Sequence, residues 1–285
     1  MISSCVFPVA GYGTRFLPAT KSVPKELLPV VNKPLLQYSV EEALSAGMAK
    51  MGFVTGRGKQ AIEDYFDCNY ELEHQLQGTS KEALLDETRD VIEAGQYSFI
   101  RQRQMKGLGH AILSAEPLVK EGAFGVILPD DLCHNPAGDG VMTQLAEVYR
   151  RYGKSVVAIE PVPMERVSRF GVIAGESIED NLLQITDMVE KPSVEEAPSN
   201  LAIIGRYILT PDIFEILRRT QPGKGGEIQI TDALLEQAKQ GNVLALKFAG
   251  RRFDCGNVHG FVEATNYFYQ NVYCAEETKK QVRSA

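Results

Sequence analysis

The residues best suited to chemistry fall in five short clusters. The first is Ala10-Gly11-Tyr12-Gly13-Thr14-Arg15, which runs on through Lys21 and Lys25 to Glu26. Glycines directly after an apolar run let backbone N–H groups approach an anion closely. Arg15, Lys21 and Lys25 add positive charge to the same loop, and Pro18 and Pro24 stiffen it. Phe16 stands where a dinucleotide fingerprint would need its third glycine, and no Gly-Lys-Ser/Thr closes the loop as a Walker A motif would. Phosphate binding is the chemistry this pattern suits, although a turn with solubilising lysines uses the same residue types.

The other clusters are weaker taken singly. Leu128-Pro129-Asp130-Asp131 sets two carboxylates after an apolar run, where they could face a metal or merely cap a turn. Gln102 and Gly107 lie in Arg101-Gln102-Arg103-Gln104-Met105-Lys106-Gly107-Leu108-Gly109-His110. A glutamine amide both donates and accepts, which suits the imide edge of a pyrimidine. Val189-Glu190-Lys191-Pro192 places an acid beside a base, an arrangement common on any surface. Phe253-Asp254-Cys255-Gly256 reads by itself as a turn, and a thiol beside a carboxylate is a poor nucleophile.

These clusters sit where strands give way to loops. Apolar runs at Ile2–Val9, Met51–Thr55, Tyr97–Gln102, Phe124–Leu128 and Ser155–Ile159 alternate with helical patterns at Pro34–Ala46, Lys59–Phe66, Gly109–Leu118 and Val141–Tyr152. A charged helical stretch spans Tyr70–Ile92. The second half is richer in strands, at Gly171–Ala174, Leu183–Val189, Leu201–Leu209 and Val243–Phe248. Helices are expected near Pro211–Arg219, at Thr231–Lys239 and from Val258 to about residue 280. Strands alternating with crossover helices imply an α/β fold with a mostly parallel central sheet and helices on both faces. With no linker beyond the short Ser193–Asn200, residues 1–285 are expected to form a single domain.

Composition narrows the function classes. The 285 residues carry a net charge of −7 with 44% hydrophobic residues. An acidic chain lacks the basic surface that general nucleic-acid binding needs. No apolar run reaches the roughly 18–20 residues of a membrane span. The first residues have neither a basic nor a long apolar region, so no signal peptide is expected. Five widely spaced cysteines fit free thiols in a reducing compartment, and a cytoplasmic location follows. The aromatic run Tyr267-Phe268-Tyr269 is expected to serve as a self-association surface, in a homo-oligomer (dimer or tetramer).

Taken in order from residue 8 to 256, the five clusters resemble the signature of the sugar-1-phosphate nucleotidylyltransferases. The wording Pro18-Ala19-Thr20-Lys21-Ser22-Val23-Pro24-Lys25-Glu26-Leu27-Leu28-Pro29 is similar to the bacterial UTP–glucose-1-phosphate uridylyltransferases. The resemblance implies a Rossmann-like nucleotidyltransferase fold. Its nucleotide-binding part would cover about residues 1–135, and a smaller β-rich sugar-binding part about 136–256. It also implies that UTP and glucose 1-phosphate are the substrates and Mg²⁺ the cofactor. By position, Ala10, Gly11, Gly13, Thr14, Glu26, Gln102 and Gly107 would hold the nucleotide, with Arg15 and Lys25 on its phosphates. Asp130 and Asp254 would hold the metal. Asp131, Gly171, Glu190 and Lys191 would meet the sugar phosphate, and no role falls to Arg206. Around Arg103, Met105 and Lys106 the chain departs from the small residue and proline usual in that group. Two alternatives stay open: a nucleotidylyltransferase for another nucleotide such as dTTP, and a non-catalytic paralogue that only binds sugar nucleotide.

Overall fold

Alternation in the first strand sets the layers of the molecule. In the computed structural model, which describes residues 2–119 and 122–275, β1 (Ser4–Pro8) turns Cys5 and Phe7 to one face and Val6 to the other. Both faces are buried, so both must be covered. A two-residue hairpin, β2 (Pro29–Val30) and β3 (Lys33–Pro34), leads into helix α1 (Leu35–Ser45). Then come β4 (Lys50–Thr55), α2 (Gln60–Tyr65), α3 (Tyr70–Leu76), α4 (Asp86–Ala94), β5 (Gln96–Arg101) and α5 (Leu108–Ser114). β6 (Phe124–Ile127), β7 (Asp131–His134), α6 (Val141–Tyr152) and β8 (Ser155–Pro161) follow. The remainder comprises β9 (Gly171–Glu179), β10 (Leu182–Glu190), β11 (Leu201–Leu209), α7 (Ile213–Arg219), α8 (Ile230–Ala238), β12 (Val243–Lys247), β13 (Arg251–Asp254) and α9 (Val258–Phe268).

Nine strands form one sheet in the order β5-β4-β1-β6-β11-β8-β12-β10-β9. The first four are mutually parallel, as are β8 and β12. Only β10 and β11 run against the common direction. The apolar faces of α1 (Leu36, Val40, Ala43) and α6 (Val141, Met142, Leu145) cover one side, with Phe7 and Phe53 beneath them. On the other side α5, α7 and α8 bring Ile112, Leu217 and Leu234 onto Val6, Phe124 and Tyr207. Each of the larger aliphatic and phenyl side chains contributes about 1.5–3 kcal/mol by leaving water.

Two sequence expectations change here. The stretch from Tyr70 to Ile92 is not continuous: Gly78, at φ +73°, lies between α3 and a short 3-10 turn at Glu82–Leu84, and α4 then starts afresh. The segment around Asp254 is not a bare turn. β13 pairs antiparallel with β7 in a two-stranded ribbon outside the main sheet, Phe253 opposite Leu132 and Asp254 opposite Asp131. Both strands are four residues long, too short for alternation to announce them.

The aromatic run near the end of the chain also differs from expectation. Phe268 is buried and Tyr267 partly so, packed with Phe253 and His134, while Tyr269 is exposed. Helix period explains the split, because consecutive residues point about 100° apart. α9 gives way at Tyr269–Tyr273 to a π turn, and the end expected near residue 280 lies outside the described residues.

Candidate active site

The parallel strands β1, β4, β5 and β6 all end on one rim, where an open α/β sheet places its ligands. The glycine loop leaves β1 there. Gly13 has φ +67°, and a Cβ on it would lie 3.0 Å from Cβ of Lys25. Gly13 also accepts from Thr20 Oγ1 at 2.8 Å, so the loop folds back over the lysine. Nothing stands within 4 Å of a Cβ at Gly11, whose backbone faces open space. Thr14 opens the 3-10 turn that carries Arg15.

Lys25 Nζ meets Asp130 Oδ2 at 2.5 Å. Burial opposes the lysine charge, but Asp130 and Glu26 outweigh it and hold Lys25 above the usual lysine range. Burial also opposes the charge on Asp130, and Lys25 outweighs that, holding the carboxyl below its usual range. Arg15 Nη1 donates to the carbonyl of Gly256 at 3.1 Å, and Gly256 N–H donates to Asp254 Oδ1 at 3.1 Å. A Cβ at Gly256 would lie 3.1 Å from Asp254 Oδ1, 3.2 Å from Asp130 Oδ2 and 3.3 Å from Arg15 Nη1. Two carboxylates and a guanidinium thus converge on one spot that only a hydrogen atom occupies.

Across a cavity of about 740 Å³ lies the second half of the site. Glu190 ends β10 opposite Gly171 of β9. Its Oε2 accepts from Thr231 Oγ1 at 2.7 Å, and its Oε1 lies 3.0 Å from Lys191 Nζ. A Cβ on Gly171 would come within 2.5 Å of the Thr231 methyl, so no larger residue fits there. Lys191 adopts φ +48°, unusual for a residue with a side chain, and Lys224 Nζ donates to its carbonyl. The cavity is lined by Arg15, Asp130, Asp131, Gly171, Glu190, Lys191 and Asp254 among others.

Asp131 reaches the same cavity but is already engaged. Its Oδ1 accepts from Arg252 Nε at 2.5 Å and its Oδ2 from the N–H of Gly205 at 2.9 Å. Arg252 also donates to Glu160 and lies over the Phe170 ring, so it braces the wall that precedes Gly171.

Ala10, Gly11, Gly13, Thr14, Lys25, Glu26, Gln102 and Gly107 lie outside that cavity lining. Lys25 still joins it through Asp130. Glu26 is buried against Lys59 at 2.6 Å, which pins the turn after the glycine loop to the loop after β4. Gln102, just past β5, donates to Gly107 O and to His110 Nδ1. Gly107 takes φ +92°, and a Cβ on it would strike Glu227 at 2.7 Å.

Sequence reasoning missed Arg206, Glu42, Arg252 and Thr231. Arg206 is fully buried; it pairs with both oxygens of Glu42 and donates to Leu128 O at 3.1 Å. It thereby fixes the turn that carries Asp130. An arginine inside the apolar run Leu201–Leu209 was the available signal, because arginine is almost never fully buried unless paired.

A family model described as nucleotidyl transferase matches residues 8–271. The UTP–glucose-1-phosphate uridylyltransferase of Pseudomonas aeruginosa is 59% identical over 273 residues, which are 96% of this chain and 98% of that one. The chain belongs to the nucleotidyl transferase family, among its UTP–glucose-1-phosphate uridylyltransferases. A solved UDP-glucose pyrophosphorylase complexed with UDP-glucose superposes on this uridylyltransferase-family chain with a TM-score of 0.89 at 55% identity, covering 95% of this chain and 99% of that one. The UTP-bound enzyme from Acinetobacter baumannii gives a TM-score of 0.89 at 37% identity, with 99% of each covered. The mixed α/β nucleotidyltransferase fold expected from the resemblance is the one found. Among the described residues no helix is long and apolar enough to cross a membrane.

Proposed function

We propose that this uridylyltransferase-family chain makes UDP-glucose and pyrophosphate from UTP and α-D-glucose 1-phosphate. A phosphate oxygen of the sugar attacks the α-phosphorus of UTP in line; the α–β bridging bond breaks and pyrophosphate leaves. The observation that supports this best is the meeting of Asp130, Asp254 and Arg15 at Gly256, with Lys25 paired to Asp130, across one cavity from the Glu190–Lys191 pair.

The substrate supplies the nucleophile, so the residues have a mainly electrostatic task. One pair of like charges about 4 Å apart repels by ~4 kcal/mol at an effective dielectric of 20. Each ~1.36 kcal/mol is tenfold in rate. In this reading Arg15 and Lys25 neutralise the triphosphate, helped by N–H groups of Ala10, Gly11, Gly13 and Thr14. Lys191 neutralises the sugar phosphate. Glu190, held by Thr231, accepts from sugar hydroxyls beside the Gly171 backbone, where the missing side chain leaves room. Asp131 braces Arg252 beneath the sugar. Gln102 and Gly107 hold the uracil, and Glu26 steadies the turn that presents Lys25.

The two carboxylates around Gly256 are hard oxygen donors, which suit Mg²⁺ completed by phosphate oxygens and water. Bound there, Mg²⁺ would screen the negative charge between attacking and leaving oxygens. Asp130 and Asp254 would hold it, and Lys25 would be released from Asp130 toward the phosphates.

The same proposal includes a cytoplasmic location, supported by five free cysteines. It takes residues 1–285 as one domain. It also includes a homo-oligomer using the exposed Val258, Val262 and Tyr269 of the last helical segment. Light scattering at micromolar concentration tests the oligomer. For the activity, pyrophosphate release is measured with UTP, dTTP, CTP and ATP against glucose 1-phosphate and Mg²⁺. Fastest release with UTP, with UDP-glucose as product, is expected. Equal rates for all four nucleotides, or UDP-glucose binding without turnover, would overturn the assignment.

A further inference from the structure

Gln102 sits between two groups that together decide which way its amide points. The carbonyl of Gly107 opens helix α5, and a carbonyl oxygen can only accept. It already accepts from Ala111 N–H at 3.1 Å, and Gln102 Nε2 approaches it at 3.2 Å. The amide nitrogen must therefore face Gly107, because the amide oxygen would meet it lone pair to lone pair. The same Nε2 lies 2.9 Å from Nδ1 of His110, one turn into α5. With its second hydrogen directed there, Nδ1 has to be the acceptor, so the ring carries its proton on Nε2. Burial and the nearby Lys106 hold this ring below the usual histidine range, which favours the uncharged form the arrangement needs. Both donors of Gln102 are then spent. Its Oε1 is engaged by no described residue and is not sealed in the core.

The frame around this pair is rigid. Gln102 N–H is tied to Thr55 O at 2.8 Å, at the end of the neighbouring strand. The turn between them is clamped on both sides by Ile228, whose N–H donates to Lys106 O and whose carbonyl accepts from Gly109 N–H. These bonds fix where the glutamine backbone and the histidine helix stand, so the amide could reverse only by turning about its own last torsion, which would set its oxygen against the Gly107 carbonyl and His110 Nδ1.

We propose that His110 is a specificity-positioning residue: it locks the Gln102 amide so that only an oxygen acceptor faces the base, and this makes the site select an imide N–H. This rests on the reading that Gln102 meets the base. Uracil offers N3–H to such an oxygen. Cytosine offers an unprotonated N3, a second acceptor, and the two repel. A free glutamine would accommodate either base by rotating its amide by 180°, so the discrimination comes from His110 although it touches no substrate. A hydrogen-bonding site rejects a ligand that leaves its polar groups unpaired far more strongly than an apolar pocket rejects a misfit.

The test is the ratio of kcat/KM for UTP to that for CTP, measured in the full chain with Mg²⁺ for wild type, Gln102→Ala, His110→Leu and His110→Asn. Wild type should favour UTP strongly. Gln102→Ala should collapse the ratio, which tests the reading beneath the proposal. His110→Leu should lower it at least tenfold, mainly through KM and through a gain with CTP. His110→Asn should restore it, because an asparagine Oδ1 can take the place of Nδ1. A His110→Leu enzyme with the wild-type ratio, alongside a collapsed Gln102→Ala ratio, would overturn the His110 role and leave the Gln102 reading standing. An unchanged ratio in Gln102→Ala would overturn both. Should His110→Leu fail to fold, the tautomer decides: nitrogen-15 spectra of histidine-labelled wild type should show His110 protonated on Nε2, and protonation on Nδ1 would overturn the proposal.

Discussion

Asp130 and Asp254 face each other across Gly256, with a point 3.2 Å from an oxygen of the first lying 3.1 Å from an oxygen of the second. They come from different structures: Asp130 follows a strand of the main sheet, and Asp254 ends a two-stranded ribbon. The ribbon partner of Asp254 is Asp131, so the register of β7 and β13 sets the distance between the two acids. Gly256→Ala would put a methyl group among them, at a backbone conformation that does not require glycine. About a hundredfold loss of kcat is expected, as for a small misplacement of reacting groups, with little change in melting temperature. A variant with normal kcat would show that this spot takes no part.

Lys25 and Lys191 should separate in kinetics. Lys25 is held by Asp130 beside the glycine loop, and Lys191 by Glu190 on the opposite wall. Lys25→Ala should lower kcat by roughly 10²–10³-fold, as does losing one preorganised group aimed at transition-state charge. Lys191→Ala should chiefly raise KM for glucose 1-phosphate, by about tenfold, or ~1.4 kcal/mol. Steady-state rates with each substrate varied check this. An unchanged KM for glucose 1-phosphate in Lys191→Ala would contradict it.

The Arg206–Glu42 pair gives a stability prediction. Arg206 is fully buried and Glu42 nearly so; the pair also caps helix α6, where Met142 N–H donates to Glu42 Oε1 at 3.0 Å. Arg206→Met leaves the Glu42 charge without its partner, and breaking a buried pair costs about 3–5 kcal/mol. Urea unfolding should show that loss. A change under ~1 kcal/mol would mean the pair is replaceable by packing.

How much of this was legible in the sequence depends on the length of each signal. The glycine loop, Asp130, the Glu190–Lys191 pair and the alternating strands and helices were readable, because each signal is contained in one continuous stretch. The β7–β13 ribbon was not: Asp131–His134 and Arg251–Asp254 are four residues each and pair only with each other, so neither segment implies the other. Asp131 was legible as an acid near the site, but Arg252 and the Gly205 N–H that occupy its oxygens come from remote strands. Tyr267 and Phe268 resembled an exposed aromatic patch until His134 and Phe253 supplied the inner surface they pack on.

The pH dependence of stability should show two partly buried histidines. Burial holds the His134 ring, beside Tyr267 and Phe268, below its ordinary value of 6.5. The unfolded chain then binds a proton that the folded chain refuses. The contribution is complete above pH 6.5 and is lost as pH falls through the lower folded value. His110 acts in the same direction. The melting temperature should therefore fall between pH 7 and pH 5, and His134→Gln should fall less steeply. An identical slope in the variant would contradict this origin.

The most direct test of the electrostatic account is the double-mutant cycle Asp130→Asn, Asp254→Asn, with activity titrated against Mg²⁺ and melting followed in parallel. If the two carboxylates share an ion, each single variant loses most of the activity that the pair loses, since groups acting as a unit are strongly non-additive. Each should also need more Mg²⁺ and melt within a few degrees of wild type. Two losses that simply add, with an unaltered magnesium requirement, would contradict the shared site and leave Asp130 and Asp254 as independent turn residues.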